Sequence, residues 1–111
     1  MKPPAADLSG EWAVTIEYAA SRGEHALVFK QEGNRLVGTH RGQAVTRELA
    51  GTIDGDAVKF RSSVDETVIG NSLTFTFTGK VSGDTMAGDV DLGEYLKARW
   101  TAKPYRYGGT V

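Results

Sequence analysis

The chain has 111 residues, a formal net charge of −1 and no cysteine, which fits one domain and excludes disulfides and thiolate chemistry. Acids and bases are mixed along it with no basic block, so nucleic acid is not an expected partner. No stretch approaches the ~20 apolar residues of a membrane-spanning helix. Met1-Lys2-Pro3-Pro4 leads into no apolar signal core, so a cytoplasmic protein without a membrane partner is expected.

Along the chain, apolar residues recur at every second position rather than at helical spacing. Trp12, Val14, Ile16 and Tyr18 alternate with Ala13, Thr15 and Glu17. Leu27 and Phe29 follow, then Leu49, Gly51 and Ile53, then Val58 and Phe60. Leu73, Phe75 and Phe77 alternate with threonines, and Met86, Gly88, Val90 and Leu96, Ala98, Trp100 complete the series. Each run reads as a strand with one face in a core and one face wet. Glu32-Gly33-Asn34, Asp54-Gly55 and Ser82-Gly83-Asp84 are tight-turn sequences between runs.

Eight strands are predicted, over residues 10–18, 24–31, 35–40, 44–53, 56–64, 72–81, 85–91 and 94–102. Short links between them predict an antiparallel meander. The fold class is all-β, an eight-stranded antiparallel up-and-down barrel. Closure hides the edges that eight short strands would otherwise expose, and inward Trp12 and Trp100 suit a first strand paired with the last. Residues 1–8 read as an N-terminal extension, 9–103 as the barrel and 104–111 as a tail. Inward glycines at positions 38, 51, 79 and 88 predict sharply bent strands. Gly51-Thr52-Ile53-Asp54-Gly55-Asp56-Ala57-Val58 is echoed by Gly79-Lys80-Val81-Ser82-Gly83-Asp84-Thr85-Met86, a repeat of hairpins.

Gly10-Glu11-Trp12, Gln31-x-Gly33-x-x-Leu36-x-Gly38, Gly83-Asp84-x-Met86-x-Gly88 and Ala98-Arg99-Trp100-Thr101-Ala102-Lys103 together form a pattern. It resembles small bacterial calycin-like barrel domains of lipocalin or avidin type, over roughly residues 9–103. The resemblance implies a barrel and an accessory module of the kind often carried at the C-terminus of larger enzymes. Biotin-type sites are not matched residue by residue.

Alternation combined with strand direction predicts a site. The three tight turns fall at one barrel end, and the links near residues 19–23, 41–43, 65–71 and 91–93 fall at the other. Inward side chains near that second end are Tyr18, His25, His40, Arg47, Ser62 and Glu94. Polar groups above an apolar floor form the pattern of a shallow ligand pocket. The bulky inward set, including Trp12, Phe29, Phe60, Phe75, Phe77 and Trp100, predicts a solid floor beneath it.

The leading expectation is a small-ligand-binding or accessory module for a small amphipathic or anionic molecule. A small barrel enzyme of isomerase, cyclase or lyase type is a second reading, using a histidine with Glu94 for acid–base work. A structural oligomerisation domain is a third. No cofactor and no metal are expected, because two histidines do not supply the four ligands of a structural site. Val28 and Val37 form a small outer apolar patch, and Pro104-Tyr105-Arg106-Tyr107 carries residue types common at interfaces. A homodimer or docking to a larger protein is therefore a further expectation, set against a tail that packs on its own barrel or is disordered.

Overall fold

Glycine sets the hairpins. Gly33, Gly55 and Gly83 each open a two-residue turn with φ of 61°, 59° and 61°, a conformation that costs glycine little and side-chain-bearing residues more. The computed structural model describes residues 2–19, 21–42, 46–63, 74–92 and 97–105. In chain order the strands are β1 (Gly10–Glu17), β2 (Arg22–Glu32), β3 (Arg35–Arg41), β4 (Thr46–Asp54), β5 (Ala57–Ser63), β6 (Thr74–Ser82), β7 (Thr85–Asp91) and β8 (Lys97–Pro104). Each pairs antiparallel with the next, and β1 pairs with β8, so the sheet closes into an up-and-down barrel. In the closing pair Ile16 faces Trp100 and Trp12 faces Pro104. The two tryptophans thus share the interior at different heights, as the stagger of a closed barrel requires.

Alternation places the side chains as expected. Trp12, Val14, Ile16, Leu27, Phe29, Leu36, Leu49, Ile53, Phe60, Phe77, Met86, Val90 and Trp100 are all buried, whereas Glu48, Lys59, Arg61, Lys97 and Arg99 are exposed on the outer wall. Apolar inside and charged outside is the reverse of a lipid-facing barrel. No helix among the described residues is long and apolar enough to cross a membrane. Phe60 stacks on Phe77 with ring centroids 4.7 Å apart, and Trp100 meets both rings edge-on. These contacts fill the floor.

Two glycines allow the strands to coil this tightly. Gly79 and Gly88 are cross-strand partners, and a Cβ on Gly88 would overlap the Thr78 carbonyl oxygen. The indole of Trp100 lies beside this side-chain-free window. Its Nε1 donates to the carbonyls of Thr78 and Asp89, both at 3.1 Å. Gly88→Ala is therefore expected to lower stability by about 1–3 kcal/mol, the usual cost of forcing atoms into a packed interior. Urea unfolding reads this directly, and an unchanged midpoint would mean the backbones do not approach so closely.

The turn end of the barrel is closed by the chain before β1. Lys2 and Ala5 form backbone hydrogen bonds with Gly55, and Asn34 Nδ2 donates to the carbonyls of Lys2 and Ile53. Gln31 holds the segment from the barrel side. Its Oε1 accepts from the Leu8 amide at 2.8 Å and its Nε2 donates to the Ala6 carbonyl. Leu8 enters the core with 1% of its surface exposed, and its carbonyl accepts from Trp12 Nε1.

Candidate functional site

At the opposite end, the inward rows change from apolar to polar. β2 runs Phe29, Leu27, His25 toward the connecting loops, β3 ends on His40, β4 on Arg47 and β5 on Ser62. Closure sets these row ends side by side. His25 Nδ1 and His40 Nε2 are hydrogen-bonded at 2.8 Å, and His40 Nδ1 and Ser62 Oγ at 2.7 Å. The three side chains form one chain of hydrogen bonds across β2, β3 and β5. His40 and Ser62 have no exposed surface, while His25 is half-buried. A molecule reaching this network from the loop end meets His25.

Phe75 of β6 packs against both imidazoles, with its ring centroid 5.1 Å from that of His40 and 6.2 Å from that of His25. The Arg47 guanidinium lies over the same ring, 4.9 Å from the centroid, in the range of a favourable cation–π contact. Tyr18 is half-buried and packs against the core. A Cβ built on Gly23 would stand 3.2 Å from His25 Nε2 and 3.7 Å from a Tyr18 ring carbon. The missing side chain at buried Gly23 thus lets the imidazole and the tyrosine ring close over its backbone.

Burial, which disfavours a charged imidazole, pulls the His40 pKa down to about 3, and the neighbouring His25 and Arg47 act in the same direction. Burial also lowers the pKa of His25, with the Arg47 charge adding to it and Glu24 opposing it. Both rings are therefore neutral near pH 7, and the fixed positive charge belongs to Arg47.

Five of the six side chains expected at this end are thus together: Tyr18, His25, His40, Arg47 and Ser62. Glu94 lies outside the described residues, as do Leu73, Leu96, the link 65–71 and the tail residues Arg106 and Tyr107. Ser62 is fully buried, with His40 hydrogen-bonded to its hydroxyl. Alternation aims His40 into the core, in line with its inward parity, and leaves His25 half-buried. Arg47, which could have extended to solvent, rests on Phe75 instead. The sequence reading did not assign Gly23 and Phe75 to the site. Their signal was present, because both share the inward parity of His25 and the phenylalanine run.

No group of three or more His, Cys, Asp or Glu side chains able to hold a metal occurs among the described residues. Val28 and Val37 lie on the outer face, each half-buried and offset across the β2–β3 pair. Tyr105 is 47% exposed, and its amide donates to the Glu11 carbonyl, which prolongs the β1–β8 seam.

Compared with protein-family models, curated proteins and solved structures, the chain matches none.

Proposed function

We propose that the chain is a calycin-like binding module that takes a small anionic, amphipathic molecule at the loop end of its barrel. The observation that carries this reading is the placement of Arg47 on the Phe75 ring beside the half-buried His25, above a solid aromatic floor. A guanidinium only donates hydrogen bonds and is always charged, so it favours an anion. The two imidazoles are neutral and do not compete for the anion's counter-charge. Tyr18, half-buried beside His25, offers apolar surface to the rest of the ligand. With the opposite end closed by residues 2–9, entry is from one side.

A melting-temperature screen of small organic acids tests the reading, since a ligand that binds the folded state raises the midpoint. Acids that stabilise the wild type are expected to lose tenfold or more in affinity for Arg47→Gln. This matches the ~1.5–3 kcal/mol of a hydrogen bond to a charged group. Equal shifts in wild type and variant would place binding elsewhere, and no shift from any acid would remove the proposal.

A further inference from the structure

Anion binding by Arg47 leaves the buried end of the hydrogen-bond chain unexplained. Ser62 has no exposed surface, and its hydroxyl has one side-chain partner among the described residues, His40 Nδ1 at 2.7 Å. A buried donor without an acceptor is rarer and costlier than an oxygen lone pair without a donor. If His40 Nδ1–H donated to Ser62, the serine's own proton would have no acceptor among the described residues. The hydroxyl therefore donates to His40 Nδ1. A neutral His40 then carries its proton on Nε2 and donates it across 2.8 Å to His25 Nδ1. His25, also neutral, must carry its own proton on Nε2, the ring nitrogen that His40 does not engage and that lies beside Gly23.

We propose that Ser62 sets the polarity of the site, fixing His25 as an outward-facing N–H donor and so selecting a carboxylate over the neutral amide of the same shape. The inference rests on the reading that an anionic molecule occupies this end. Arg47 and His25 Nε2 then present donors alone. A carboxylate offers acceptors to both, whereas a primary amide must turn its NH2 toward one of them and leaves donor facing donor. Ser62 is a positioning residue here. It acts through His40 and does not touch the ligand.

Two measurements separate the inference from the reading beneath it. In the unliganded wild-type protein, two-bond proton–nitrogen correlation spectra report which nitrogen of each imidazole carries the proton. Both histidines are expected with a bare Nδ1 and a protonated Nε2, and a His25 protonated on Nδ1 overturns the proposal. This spectrum needs no variant to fold. In Ser62→Ala, His40 is expected to lose its fixed tautomer and His25 to follow. Unchanged spectra there would also overturn it. The second measurement compares hexanoate with hexanamide, and phenylacetate with phenylacetamide. The wild type is expected to favour each acid by tenfold or more, and Ser62→Ala to lose most of that preference. A preference that Ser62→Ala retains removes the serine from the selection. If neither acid nor amide binds, the anion reading fails and the selection with it, while the tautomer spectra still decide the direction of the chain of hydrogen bonds.

Discussion

Lowering the pH from 6.5 to 5 is expected to cost the barrel about 2 kcal/mol through His40 alone. In the unfolded chain His40 takes up a proton near its usual 6.5, whereas in the folded protein it resists protonation down to about 3. Between those values the unfolded state binds more protons, so stability falls as pH falls. The contribution is complete above pH 6.5 and is lost progressively down to about pH 3. Each pH unit inside that window is worth ~1.4 kcal/mol, so the full loss approaches ~5 kcal/mol. Against the 5–15 kcal/mol typical of a domain, roughly a third or more of the stability is involved. The groups responsible surround the ring: burial by the aromatic floor comes first, then the partner His25, then the Arg47 guanidinium. His25, held below its ordinary value by burial and by Arg47, adds in the same direction.

The interval from pH 6.5 to 5 is the diagnostic one, because aspartates and glutamates of ordinary pKa contribute little there. Urea unfolding across it should show a steep slope in the wild type and a reduced one in His40→Gln. That variant keeps a side chain able to bond Ser62 and removes the titrating group. A wild-type midpoint that stays level from pH 6.5 to 5 would mean that His40 is not held neutral by its surroundings.

Leu8→Ala is expected to destabilise the protein by about 2–5 kcal/mol, a core-sized loss from a residue that precedes the first strand. Leu8 is 1% exposed, its amide donates to Gln31, and its carbonyl accepts from Trp12 Nε1. Truncating the side chain removes apolar burial and loosens the segment that aligns both hydrogen bonds. Gln31→Ala attacks the same segment from the barrel side by freeing Leu8 and Ala6. If side chain and clasp act as one unit, the double variant will cost less than the sum of the two single ones, since groups sharing a structural element are not additive. A Leu8→Ala loss below ~1 kcal/mol, the level of ordinary surface changes, would show that the segment is not seated in the barrel.

The contrast between Leu8 and Phe77 shows what can be read from a sequence. Phe77 sits in a run whose alternation with Thr74, Thr76 and Thr78 announces its inward face. Leu8 stands in a short irregular segment with Pro3 and Pro4, where no periodicity marks a face. Its burial follows from Gln31, which bonds its amide, and from Asn34 and Gly55, which bond Lys2 and Ala5 of the same segment, all distant in sequence and joined by hydrogen bonds that no local pattern encodes. The candidate site divides in the same way. Parity and strand direction bring Tyr18, His25, His40, Arg47 and Ser62 to one end. The bonds among His25, His40 and Ser62 need the register of β2 through β5.

The sequence by itself determined the number of strands, the three glycine turns and which residues face inward, because these depend on a two-residue period and on backbone preferences within a few neighbours. Only the tertiary structure decided that His40 is buried between His25 and Ser62, that Arg47 rests on Phe75, and that residues 2–9 close one end. Those contacts depend on the stagger with which the sheet closes and on how tightly Gly79 and Gly88 let it coil, both properties of the whole cylinder.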